Sequence, residues 1–193
     1  MGCSHTTIIM KTESTNELEK RIIEFECFVT QHFEFLVNDF GLIKGQLRKQ
    51  DFDDKREAMV SIRYKGGPVD VEIGWGIGFA SIGITLRDNN YPESQQVIAK
   101  IKNLKPAKVI YFESAVEYLS EGKEVSLIPE ISRNISFSEM KNNADKREKL
   151  INQSMEEIVK KLAEKLNKYG AEIIKGDTSR FPEFEKYYAE KYY

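Results

Sequence analysis

Residues 58–86 read AMVSIRYKGGPVDVEIGWGIGFASIGITL, and here apolar side chains take every second position in three successive runs. The runs are Ala58, Val60, Ile62 and Tyr64; then Val69, Val71, Ile73 and Trp75; then Ala80, Ile82, Ile84 and Leu86. Side chains alternate faces along a strand, so each run predicts a strand with one face buried and the other turned outward. Lys65-Gly66-Gly67-Pro68 suits a hairpin turn, because glycine supplies positive φ and proline has no N–H for a central ladder; Gly76-Ile77-Gly78 suits a second reversal. The result is an antiparallel meander, closed by the turn formers Asp88-Asn89-Asn90-Tyr91-Pro92.

Upstream, Ile43 to Gln50 predicts a leading strand and Asp51-Phe52-Asp53-Asp54 the loop that connects it to the meander. Before that, Leu18, Ile22, Phe25, Val29, Phe33, Leu36 and Phe40 recur at three and four, which predicts a long amphipathic helix from Ser14 to Phe40, stopped by Gly41. Downstream, Glu93 to Leu104 places Val97, Ile98, Ile101 and Leu104 on one helical face. Ala107 to Glu121 predicts a shorter helix, although Val109 to Phe112 equally suits a short strand. The stretch from Glu124 to Asn143 reads as an irregular surface excursion. Ala144 to Tyr169 predicts a second long helix with a seam of Ile151, Met155, Ile158, Leu162, Leu166 and Tyr169. The aromatics from Phe181 to Tyr193 fit a last short helix docked on the body. With no repeat or linker, the expectation is a disordered N-terminus over 1–13 and a single α+β domain over 14–193. That domain is an antiparallel β-meander of about four strands with long N- and C-terminal helices packed on one face.

Composition bounds the function. The 193 residues hold 31 acidic and 29 basic side chains, so net charge advertises no nucleic-acid field. No run is apolar enough for a membrane span and no secretory leader is evident, so a cytoplasmic location is expected. Cys3 and Cys27 read as two free thiols rather than a disulfide. Met1-Gly2-Cys3-Ser4-His5-Thr6 fits a myristoylation pattern, but no adjacent basic segment supplies a second membrane signal, and a start at Met10 is preferred.

Motifs for chemistry fail their geometric requirements. Gly74-Trp75-Gly76-Ile77-Gly78-Phe79 lacks the third glycine of a dinucleotide loop and leads into a strand, and no Lys-Ser or Lys-Thr follows for a phosphate loop. Asp51, Asp53 and Asp54 lack the glycine and glutamate of a calcium loop, having Arg56 and Ile62 at those positions. His5 and His32 cannot form a multi-histidine site, and Cys27 falls on the polar helix face with no activating base. Glu113, Glu117 and Glu121 share a helical face that reads as solvated. The strongest enzymatic hint is Glu121-Gly122-Lys123, a Glu-x-Lys pair of the type that metal-dependent nucleases use with an upstream aspartate, nominally Asp70 or Asp88. Those enzymes carry the pair on a central strand, whereas here glycine ends a helix. No cofactor is expected.

Phe35-Leu36 with Asp39-Phe40-Gly41, Val69-Asp70-Val71-Glu72-Ile73, and Gly176-Asp177-Thr178 with Phe181 give the chain a layout that resembles small bacterial immunity proteins of polymorphic and contact-dependent toxin systems. The resemblance implies a noncatalytic protein-binding module that neutralises a cognate toxin, and it transfers no individual residue role. On this reading the contacts are the outward sheet positions and the acidic loop, Asp51, Asp53, Asp54, Asp70 and Glu72, facing a basic protein partner. The alternatives are a metal-dependent hydrolase using Glu121 and Lys123, and a structural or regulatory homodimer joined along the second long helix.

Overall fold

Alternation over residues 58–86 produces three long strands, and the rest of the chain is arranged around them. The computed structural model describes residues 5–50, 58–77, 80–124 and 137–192, with side chains from Glu17 onward except at 98, 137, 138, 140, 141 and 192. In chain order the first elements are α1 (His5–His32), α2 (Phe35–Asn38), β1 (Ile43–Lys44), β2 (Arg48–Gln50), β3 (Met59–Lys65), β4 (Val69–Gly76) and β5 (Ser81–Asp88). They are followed by α3 (Gln96–Lys102), β6 (Val109–Tyr111), α4 (Phe112–Leu119), α5 (Phe137–Tyr169), α6 (Ala171–Ile174) and α7 (Phe181–Tyr192). The strands form one antiparallel sheet in the order β1-β3-β4-β5-β6, with β2 also paired to β3. Gly66 takes φ +106° in the hairpin between β3 and β4, as the turn requires.

Among the described residues the sheet therefore has six strands where the sequence suggests about four. One addition is β6, the short apolar run that precedes α4. The other arises because the leading strand is split in two. Lys44 stands opposite Tyr64 and Arg48 opposite Ser61, so residues 45–47 oppose only residues 62 and 63. This is a one-residue β-bulge. Gly45 N donates to Arg63 O at 2.8 Å, and a Cβ on Gly45 would sit 2.8 Å from that same oxygen, so the bulge needs glycine there. The strand also turns Lys44 and Lys49 toward the helices, where Lys44 lies 3.7 Å from Glu26 and Lys49 2.6 Å from Glu19. Inward charges and a bulge both discourage pairing of this edge with another chain.

Val60, Ile62, Tyr64, Val71, Ile73, Trp75, Ile84 and Leu86 are buried in a core shared with α1 and α5. Contacts of α1 with α5 and β3, of α5 with β5, and of α6 with β4 place these helices on the same sheet face. The α5 seam, Ile151, Met155, Ile158, Leu162 and Leu166, is buried within the chain. The predicted 14–40 helix is interrupted after His32: Leu36 N bonds to Phe33 O, a tighter turn that puts both Phe33 and Leu36 in the core. Helix α5 is kinked at Ser154, whose φ of −138° breaks the i→i−4 ladder. Arg21 of α1 answers this break by donating to Ile151 O and Asn152 O, each at 3.3 Å, with its guanidinium 5.8 Å from the Trp75 ring centre.

The exit of β5 is fastened by Asp88. Its carboxylate is buried and accepts hydrogen bonds from Ser94, Gln95 and Thr178 side chains and from Asn90 N. Gln95 is itself buried, and besides its bond to Asp88 its Nε2 donates to Ala107 O and its Oε1 accepts from Ala107 N, each at 2.8 Å, which sets the start of β6. Glu183 on α7 plays a similar part between helices, accepting from Lys102 at 2.7 Å and from Tyr118 at 2.9 Å.

Candidate functional site

Helices α1, α5 and α6 leave the opposite face of the sheet to outward-pointing side chains, while at its β6 edge Tyr188 of α7 meets Tyr111. Register places Ser61, Gly74 and Gly83 in one row across β3, β4 and β5, and Arg63, Glu72, Thr85 and Tyr111 in the next. The two glycines lower the floor, since no Cβ stands above the backbone there. Against that floor lies Glu113: its Oε1 is 3.2 Å from where a Gly83 Cβ would be and accepts from Ile84 N at 3.3 Å. Burial pushes the Glu113 carboxyl up to about 7. The helical face of Glu113, Glu117 and Glu121, read as solvated, is thus divided. Glu113 is desolvated, Glu117 is ion-paired to Lys191 of α7, and Glu121 is exposed.

Asp70 and Glu72 do share the outward face of β4, but both already have partners. Glu72 accepts from Ser61 Oγ at 2.8 Å and from the Arg63 guanidinium, whose Nε lies at 2.9 Å. Asp70 is buried and accepts from Asn89 Nδ2 at 2.9 Å, which also bonds Gly67 O. Asp51, Asp53 and Asp54 lie outside the described residues.

Glu121 and Lys123 stand on the turn that ends α4, where Glu121 and Gly122 both take positive φ. They pair with each other at 3.4 Å, both largely exposed, beside a depression of about 370 Å³ that also includes Glu124, Lys168 and Tyr169. Glu124 is occupied by Lys165 and Lys168 and by the Tyr169 hydroxyl, and the Lys168 hydrogen bond leads the effects that hold its carboxyl below the usual range. Of the upstream aspartates, Asp88 is committed to its four donors and Asp70 to Asn89. Among the described residues no three His, Cys, Asp or Glu side chains are grouped to hold a metal. Cys27 is free and exposed, and His32 Nε2 lies 3.7 Å from Glu156.

A depression of the outward face lies at the bulge. Ile43, Gly45, Gln46, Leu47, Arg48, Arg63, Lys65 and Gly66 line a depression of about 450 Å³. Ile43 faces Lys65 across the pair and is 70% exposed, and Leu47 packs partly on the core. Among the described residues no carboxylate lines the depression. Arg63 is neutralised by Glu72, whereas Arg48 and Lys65 make no ion pair among the described residues.

No protein family, curated protein or solved structure matches this chain. The functional reading therefore rests on the chain's own geometry. Asp70 and Glu72, the outward positions expected to meet a partner, are held by Asn89 and by Ser61 and Arg63, an arrangement set by β3–β4 register and turn contacts rather than by the pattern of β4 itself. An isolated glycine inside a strand pattern, here Gly45, is the signal that points to the bulge and hence to the groove.

Proposed function

We propose that the chain is a noncatalytic protein-binding module that takes an acidic, aliphatic-bearing segment of a partner protein in the groove beside the bulge. The observation that carries this reading is the groove lining: two aliphatic side chains, Ile43 and Leu47, flanked by Arg48 and Lys65, with no carboxylate among the described lining residues. An apolar floor supplies contact area, and Arg48 and Lys65, without an ion pair among the described residues, select carboxylates and repel basic partners. The partner is therefore acidic rather than basic. Neutralisation of a cognate toxin is the form of this activity that the layout resemblance suggests, with a toxin that presents acidic residues at its site.

Affinity capture from native cells tests the proposal. The wild-type chain should retain a stoichiometric acidic protein, and Arg48→Glu with Lys65→Glu should lose it while the variant's melting temperature stays close to wild type. Retention of no stoichiometric protein, or equal retention by the folded variant, removes the groove from consideration.

A further inference from the structure

We propose that the segment carrying α3 is a second docking surface, one that binds an anionic lipid bilayer. The periodicity of residues 93–104 directs Val97 and Ile101 to the core, and the structure turns them the other way. Ala99 is buried, while Val97 is 69% and Ile101 72% exposed. At 3.6 residues per turn these two side chains stand within about 40° of each other and roughly opposite Ala99. They form an apolar ridge along the outermost line of the helix.

Lysines flank that ridge. Lys100 is exposed on one side, and Lys102 lies on the other, where Glu183 holds its ammonium at 2.7 Å. Past the left-handed cap at Asn103, the chain adds Lys105 and Lys108, both exposed. Residues 96–111 contain these four lysines and no carboxylate. Lys100, Lys105 and Lys108 make no ion pair among the described residues. Of the acids just upstream, Glu93 is exposed in the preceding turn and Asp88 is buried.

Shape and charge together select the occupant. A convex two-residue ridge provides neither a pocket nor the flat area of a stable protein interface, but it can sink into the boundary between headgroups and acyl chains. Lysine stems lie along such a ridge with their ammonium groups raised to the phosphates and carboxylates of anionic lipids. A second copy of the chain is a poor occupant, because a two-fold contact through this surface would set lysine against lysine. The association is interfacial: among the described residues no helix is long and apolar enough to cross a membrane. The surface shares no residue with the groove beside β1, so the two docking activities fail independently.

Vesicle flotation with the full chain tests this. Vesicles of phosphatidylcholine alone and of phosphatidylcholine mixed with phosphatidylserine are compared in low and high salt. The expected result is capture by the phosphatidylserine vesicles in low salt, about tenfold over the neutral ones, with most of it lost in high salt. Val97→Ser with Ile101→Ser keeps every charge and should reduce capture about tenfold; Lys100→Glu with Lys105→Glu should do the same. All four positions are exposed, so melting temperatures should stay near wild type and report that the fold is kept. Absence of capture in low salt, equal capture by neutral vesicles, or full capture of the folded Val97→Ser/Ile101→Ser variant would each overturn the proposal. Retention of a soluble acidic protein through Val97 and Ile101, with vesicles ignored, would replace the bilayer by a protein partner.

Discussion

Thr178 Oγ1 donates to Asp88 Oδ2 at 2.8 Å, joining residues 90 positions apart in the chain. The bond ties the loop before α7 to the end of β5, and Ser94 and Gln95 tie the start of the α3 region to the same carboxylate. A buried anion is thus answered by neutral donors alone, which fixes three chain segments at one corner of the sheet. That corner anchors the residues just before α3, whose inward side carries the buried Ala99 and whose outward side carries Val97 and Ile101.

Replacing Thr178 with valine keeps the shape and removes one donor to a charged acceptor, which should cost about 1.5–3 kcal/mol at neutral pH. Burial, the largest single effect, pushes the Asp88 carboxyl up, but the hydrogen bonds from Ser94, Thr178, Gln95 and Asn90 N outweigh it and hold it below 3.8. A depressed folded value means that the contribution is fully present above the unfolded value and fades as pH falls through the folded one. Urea denaturation should therefore separate wild type from Thr178→Val at neutral pH and bring them together in strong acid. Equal midpoints at neutral pH would show that the clamp contributes nothing.

The meander was legible because period-two alternation in residues 58–86 has one structural solution. The long helices were legible for the same reason at period 3.6. What escaped were features decided by pairing across the chain. The bulge depends on how residues 45–47 meet 62 and 63, and the partner of Glu72 depends on β3–β4 register. Helix α3 shows the limit most plainly, since its apolar stripe predicts burial and Val97 and Ile101 are exposed instead. Glu113 is similar: of the three glutamates on its helical face it lies against a glycine of the neighbouring strand, Gly83, while Glu117 is ion-paired and Glu121 exposed.

Gly45→Ala tests the bulge. The added methyl would meet Arg63 O at 2.8 Å, and backbone on both sides must move to admit it. Overpacking of this kind should cost about 1–3 kcal/mol, read as a lower melting temperature, and should weaken the groove that Arg48 and Lys65 flank. Wild-type stability in this variant would mean that the edge strand adjusts freely and that glycine is not required there.

Arg21→Met examines the link between the α5 kink and α1. Methionine retains contact with Trp75 but cannot donate to Ile151 O or Asn152 O. Because Arg21 Nε is buried without a partner among the described residues, the substitution also removes one unsatisfied donor, and the net loss should be modest, about 1 kcal/mol. Amide exchange should accelerate locally in the turn around Ser154. Unchanged exchange there would show that the kink is held by packing alone.

Glu113→Gln probes the dry glutamate on the sheet floor. Burial raises its carboxyl from the ordinary 4.5 to about 7. As pH rises between those values, the unfolded chain releases the proton while the native chain keeps it, so wild-type stability falls across this window and levels off above it. The full difference amounts to about 3 kcal/mol. Glutamine still accepts from Ile84 N and does not titrate, so the variant should match wild type in acid and exceed it above neutrality. Melting temperatures measured across pH decide the matter: profiles that stay parallel from acid to alkaline pH would mean that Glu113 remains solvated.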